Sequence, residues 1–269
     1  MLSRQGGDLR KLGRTAASRR SFPSSAAGMI RVGTSGWSYP HWEGILYPTG
    51  LIPRQRLDHY LHRYGTVELN ASYYRWPGDR TFTYWGRRLP PGFVFAVKAP
   101  RALTHQRRLY GPERWLERIR AGLARLAPVR PLLLVQLSPR FDVDLARLDY
   151  FLASVGPELQ VAVEMRHPGW HHEPTFEVLE RWNAAYCVMS GAGLPCVLRA
   201  TTRVVYVRLH GPDHATLYGG SYTDDDLRWW ADRLREWESQ GREIFVYFNN
   251  DGGGNAVRNA DRLRELIAS

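Results

Sequence analysis

The chain has 269 residues, 43% of them hydrophobic and 23% charged, which is ordinary for a soluble globular protein and excludes a largely disordered or collagen-like chain. No run approaches the ~18 consecutive apolar residues of a membrane span. Cys187 and Cys196 are the two cysteines, too few for a disulfide scaffold or a Cys-built zinc site. They fit a reducing compartment, so a cytoplasmic location with no membrane partner is expected.

The formal net charge is +11. Arg4, Arg10, Lys11, Arg14, Arg19 and Arg20 face only Asp8 in the first 28 residues, so this leader carries +5 and the body +6. Rich in Arg, Ser, Ala and Gly, the leader reads as disordered. It has no apolar core for a secretory signal. Its composition also describes a mitochondrial transit peptide, but Met29 directly before the first strand reads better as the true start. A single domain is expected over 29–269.

In chain order, short β-branched runs alternate with amphipathic stretches. Strands are predicted at Ile30–Ser35, Thr66–Ala71, Phe93–Lys98, Leu132–Leu137, Val161–Arg166, Ala185–Ser190, Val204–His210 and Ile244–Asn249. Helical patterns fall at Pro53–Tyr64, Asp79–Leu89, Pro112–Leu126, Asp142–Val155, Thr175–Asn183, Thr223–Gln240 and Asn255–Ile267. Pro53 and Pro112 mark helix starts, and Thr223 followed by Asp226 marks a cap. Gly191–Thr202 reads as loop, so one helix is missing or short. Eight strands alternating with helices in ~240 residues predict an α/β fold, a single (β/α)8 barrel like the TIM barrel. A doubly wound sheet is the structural alternative, weakened because no G-x-G-x-x-G follows the first strand.

Alternate strand residues face the barrel interior. Placing the apolar set toward the helices turns Glu68, Asn70, Lys98, Gln136, Glu164, Arg166, Arg208, His210 and Asn249 inward, all near C-terminal strand ends. That is where barrel enzymes build their sites. Buried charges are costly unless paired, so this recurrence means either an ion-pair plug or a polar ligand pocket. Two glutamates against Lys98, Arg166 and Arg208 leave a cationic excess suited to a carboxylate or phosphate.

Aromatic residues Trp37, Tyr39, Trp42, Tyr47, Tyr73, Tyr74, Trp170, Tyr218 and Tyr222 lie in loops after strands, where rings either stack on a ligand or cap the core. His105, His167 and His210 also fall at or beyond strand ends. With Glu68 and Glu164 they have the chemistry of a divalent-metal set, but no H-E-x-x-H or tight spacing supports one, and no metal or cofactor is assigned. The glycine-rich Asp251–Asn255 turn after the last strand is a candidate phosphate loop.

These stretches resemble the YecE-like family, a bacterial and archaeal domain of unknown function, number seventy-two of its series. The matching residues are Val32–Tyr39, Val67–Asn70 with Tyr73 and Tyr74, Phe95–Pro100 with Thr104 and His105, Gln136 and Leu137 with Pro139, Ala162–Pro168 with Trp170, Arg208–Gly211, Tyr218 with Tyr222, and Phe248–Asn250. The resemblance runs from about Ile30 to the C-terminus. It implies a TIM-barrel-like fold and no settled activity, with a relation to sugar isomerases as a fold-level analogy. The family's sixth strand usually ends in Asp, where this chain has Ser190.

The expected function is an enzyme acting on a small polar or anionic ligand, sugar-like or phosphorylated. Glu164 is cast as general acid/base, Glu68 or His210 as second proton-transfer group, and Lys98 with Arg166 as stabilisers of negative charge. Ser35, Trp37, Tyr39, Asn70, Tyr74, His105, Gln136, His167, Trp170, Arg208, Tyr218, Asn249 and Asn250 are expected to bind ligand. Nucleic-acid binding, from the charge and loop aromatics, and a non-catalytic binding module, from Ser190, are the rival readings.

Overall fold

The computed structural model describes residues 30–269; the expected leader and the start at Met29 lie outside the described residues. Eight strands form one parallel sheet: β1 Ile30–Thr34, β2 Thr66–Leu69, β3 Val94–Lys98, β4 Arg130–Gln136, β5 Gln160–Glu164, β6 Ala185–Ser190, β7 Val204–Leu209 and β8 Glu243–Phe248. Their order is β1-β8-β7-β6-β5-β4-β3-β2. A bridge between Ser35 and Glu68, with Gly36 N–H donating to the Glu68 carbonyl at 2.7 Å, joins the first strand to the second. The expected (β/α)8 barrel is the fold.

The helices are α1 Arg56–Leu61, α2 Ala71–Tyr74, α3 Asp79–Gly86, α4 Glu113–Ala124, α5 Leu145–Val155, α6 Glu173–Arg181, α7 Asp224–Ser239 and α8 Asn255–Ala268. Among the described residues no helix lies between β6 and β7, as the loop-like composition of that interval predicts. The expected second strand stops two residues early, because Ala71–Tyr74 turns into α2. The helix expected from Pro53 opens as a 3-10 turn over Pro53–Gln55 before α1. Thr223 caps α7 reciprocally: its hydroxyl accepts from Asp226 N–H at 3.2 Å, and the Asp226 carboxylate accepts from Thr223 N–H at 2.9 Å. That satisfies two amide donors a helix start leaves free. No helix of the described residues is long and apolar enough to cross a membrane.

The period-two pattern sorts the core into two bodies. Val94, Ala96, Leu132, Leu134, Ala162, Ala185, Cys187, Tyr206, Phe245 and Tyr247 pack together inside the barrel. The intervening residues, such as Val67, Leu69, Val135, Val163 and Leu209, join the helices in an outer core. Below the inner body, Glu243 bonds both Arg31 at 3.1 Å and Arg130 at 2.9 Å and closes the N-terminal end. Above it, the inward positions become polar.

Candidate active site at the barrel mouth

Arg208, on β7, lies at the centre of the mouth and is fully buried with Glu68 and Glu164. Its Nη2 and Nε donate to the two Glu68 oxygens at 2.7 and 2.9 Å, and its Nη1 donates to Glu164 Oε2. Such paired bonds to carboxylate use the planar guanidinium fork. The remaining acceptor sites fill from neighbouring strands. Glu68 also accepts from Tyr206 OH at 2.6 Å and from Ser35 Oγ. Glu164 also accepts from Gln136 Nε2 at 2.8 Å and Arg166 Nε at 2.7 Å. Asn70 Nδ2 donates to Ser35 Oγ, extending the chain of bonds.

The electrostatics follow from this saturation. Burial alone raises a carboxyl's pKa, but Arg208 beside Glu68 outweighs it and holds that carboxyl below its usual range. Glu164 is held well below it, by Arg208 first and then Arg166, against its own burial. Arg208 is reciprocally raised well above its usual value by the two carboxylates, despite burial. A carboxyl so depressed has no proton to donate at neutral pH, and its oxygens are already accepting. This argues against the expectation that Glu164 serves as general acid/base, and equally against Glu68 as its partner.

The other titratable groups at the mouth behave differently. Lys98 ends β3, is 7% exposed, and has no carboxylate within 4 Å among the described residues; its Nζ lies 4.4 Å from the centroid of the Tyr73 ring. Burial, then Arg208, pushes its amine down to about 7. His210 is fully buried. Asn249 Nδ2 donates to its Nδ1 at 3.1 Å, which leaves the proton on Nε2. That nitrogen stands 3.7 Å from Glu164 Oε1, too far for a hydrogen bond, and has no partner. Burial, with Arg208, lowers His210 to about 4. His105 sits in a π-type turn over Ala102–Gln106, with its ring edge-on to Tyr73 at 5.1 Å. Burial, then Lys98, lowers it to about 4. Both imidazoles are therefore neutral at pH 7.

The expected ligand-binding residues divide into three groups. Ser35, Asn70, Gln136, Arg166, Arg208 and Asn249 converge with the expected catalytic set, and Tyr218 joins them through its hydroxyl, which accepts from Arg166 Nη2 at 3.0 Å. Tyr39 stands behind the site, donating to the Ser35 carbonyl at 2.8 Å, and Tyr74 is 81% exposed with its ring edge-on to Tyr73. The rest serve the scaffold. Trp37 packs on Trp85 and Phe95 in the outer core. Trp170 is buried, its Nε1 donating to the Phe141 carbonyl at 2.8 Å. His167 faces Asp142 at 3.1 Å. Asn250 donates to Asn259 Oδ1 at 2.8 Å and to the Gly220 carbonyl. The rings are buried here because an indole supplies apolar volume wherever the barrel top meets its loops.

Tyr206 was not expected at the site, and Tyr73, though named among the loop aromatics, was not among the expected ligand-binding residues. Tyr206 is signalled by the same alternation that turned Arg208 inward. Tyr73 is one of nine loop aromatics, and only the turn of α2 brings it over Lys98. The candidate phosphate loop begins with Asp251, whose carboxylate accepts from Trp42 Nε1 at 2.6 Å and faces His41 Nε2 at 2.9 Å. An acidic group at that entrance disfavours an anion. No group of three or more His, Cys, Asp or Glu among the described residues is arranged to hold a metal. Ser190 puts a hydroxyl at the end of β6 and borders a separate cavity of about 450 Å³ with Leu194, Cys196, Trp229 and Trp230.

Residues 31–269 match the model of the family described as "Protein of unknown function DUF72". A Bacillus subtilis (strain 168) relative, UPF0759 protein YunF, is 29% identical, with 89% of this chain and 95% of that one aligned. UPF0759 protein YecE of Escherichia coli (strain K12) is 28% identical over 52% of this chain and 49% of its own length. A crystal structure of a DUF72 family protein from Thermotoga maritima superposes with a TM-score of 0.80 at 29% identity, covering 90% of this chain and all of that one. A family structure from Enterococcus faecalis gives 0.78 at 20% identity, covering 90% and 96%, and shows the shared fold.

Proposed function

The chain belongs to the DUF72 family, and from that premise we propose that its barrel mouth binds a small anionic, hydroxylated molecule, such as a sugar acid or sugar phosphate, and acts on it by proton transfer. One observation carries this reading. Both carboxylates of the mouth are consumed by Arg208 and its neighbours, whereas Lys98 has no carboxylate within 4 Å among the described residues. A ligand therefore meets cationic and neutral donors, which favours an anion. Asn70, with an unpartnered buried Oδ1, and His210, with an unpartnered Nε2, offer one acceptor and one donor for hydroxyl groups.

Proton transfer falls to Lys98, His105 and His210, the groups not already locked in ion pairs. Glu164 and Glu68 hold Arg208 and Arg166 in position, and Asn249 orients His210. The two cysteines are free, which supports a reducing, cytoplasmic setting.

Titration calorimetry against matched neutral sugars, sugar acids and sugar phosphates tests the reading. The expected result is binding of the anionic members only, weakened about tenfold or more, about 1.4 kcal/mol, in Arg166→Met measured well below that variant's own, lowered melting temperature. Equal binding of neutral sugars, or affinity for nucleic acid alone that falls steeply with salt, overturns it. Binding without turnover of any bound compound rejects the enzymatic part.

A further inference from the structure

Of the 37 lysines and arginines in the chain, only Lys11 and Lys98 are lysines. Arginine supplies positive charge at every other basic position of the barrel, including the buried centre of the site. Lysine thus occurs once between Ile30 and Ser269, at the mouth. The two residues differ in a chemically specific way. A guanidinium stays protonated in a protein, whereas an amine gives up its proton when desolvated and becomes a nucleophile.

The surroundings of Lys98 suit that difference. A lysine needed only for charge would pair with one of the two carboxylates close by. Here both carboxylates are taken by Arg208, Arg166, Gln136, Tyr206 and Ser35, and Lys98 lies against the Tyr73 ring instead. Ser72 Oγ donates to the Lys98 carbonyl at 2.7 Å and fixes the strand end that carries it. Burial and Arg208 push the amine down to about 7, so it gives up its proton far more readily than an ordinary lysine.

We infer that Lys98 is a nucleophilic amine that condenses with the carbonyl group of a small anionic aldehyde or ketone to form an imine. The inference rests on the anionic-ligand reading above and narrows the substrate class to carbonyl compounds. The nitrogen lone pair forms the N–C bond while the C=O π pair moves to oxygen. Oxygen gains the proton that nitrogen loses, giving a carbinolamine. Uptake of one further proton from solvent onto the carbinolamine hydroxyl lets it leave as water and gives the protonated imine, with no change of oxidation state. Neutral His105, edge-on to the same Tyr73 ring, is the group placed to pass the proton.

Reductive trapping tests this on the full chain. The probe is glyoxylate with cyanoborohydride, and the adduct on each lysine peptide is followed by mass spectrometry in folded and urea-unfolded protein. The expected result is labelling of Lys98 about tenfold or more faster in the folded chain at pH 7, with a rate midpoint near pH 7 rather than the ordinary lysine value of about 10.4. A folded-state rate no faster than the unfolded one, or a midpoint above about 9, overturns the inference. Anion binding by calorimetry then still stands or falls on its own. Equal folded-state labelling by neutral glycolaldehyde keeps the nucleophile and overturns its anionic selectivity.

Discussion

Arg208 donates two parallel hydrogen bonds to Glu68, Nη2 to Oε1 at 2.7 Å and Nε to Oε2 at 2.9 Å, and neither side chain is exposed. This pair, on β2 and β7 with β1 and β8 between them, fixes the floor of the mouth and leaves Arg208 Nη1 for Glu164.

Removing one partner of such an array strands the others as buried charges. Arg208→Met is expected to destabilise the fold by about 3–5 kcal/mol, read as a lower urea midpoint. A stability within 1 kcal/mol of the parent would show that solvent or a counter-ion replaces the guanidinium.

Tyr206→Phe removes one donor to Glu68 and leaves Ser35 and Arg208 in place. The expected loss is about 1–3 kcal/mol. Glu68 should remain ionised, which carboxyl-detected titration of the variant checks directly.

At Gly33 the constraint is steric. An added Cβ would collide with the Thr66 backbone carbonyl, where β1 approaches β2 and the barrel closes. Gly33→Ala is therefore expected to cost about 1–3 kcal/mol, visible as a drop in melting temperature. Gly44→Ala is the contrast in space alone, since no heavy atom lies within 4 Å of the new Cβ, though its positive φ of 77° adds backbone strain.

Stability should also depend on pH in two separate windows. His210 is held neutral down to about 4 in the folded chain, while its unfolded counterpart protonates near 6.5. The unfolded state then binds more protons, so stability falls as pH drops from about 6.5 to about 4, by on the order of 3 kcal/mol for this group. Lys98, lowered to about 7 from 10.5, acts on the alkaline side: stability rises between those values as the folded amine sheds its proton first. Urea midpoints across pH should show both limbs, and Lys98→Met should abolish the alkaline one.

Trp37 and Tyr74 separate scaffold from rim. Trp37→Ala is expected to cost about 3–5 kcal/mol through a cavity in the outer core, with anion affinity unchanged in whatever fraction folds. Tyr74→Ala, at 81% exposure, should shift stability by less than about 0.5 kcal/mol. Calorimetry of the two variants under identical conditions distinguishes these effects.

The strand alternation was legible because its cause is local. Successive side chains of a strand point to opposite faces whatever the rest of the chain does. Val161, Val163 and Met165 therefore assign Glu164 to the interior without any knowledge of its neighbours, and the same step turns Arg208 and His210 inward. The Thr223–Asp226 cap and the missing helix after β6 were readable for the same reason, since capping and loop composition act over a few residues.

Pairing was not legible. Five charged side chains can be sent to one mouth by periodicity, but which of them meet depends on register and strand tilt around the closed sheet. Glu68 and Arg208 are 140 positions apart, and nothing local to either signals their contact. Nor does Trp37 announce that it packs on Trp85 and Phe95, since an indole in a loop looks the same whether it meets core or ligand. The barrel, the end at which its inward polar residues gather and the identity of those residues were readable from the chain, because these follow from local geometry. The tertiary structure alone decided that both glutamates are spent on Arg208 and that Lys98 is left over, because Coulomb pairing and desolvation depend on distances that only closure of the barrel sets.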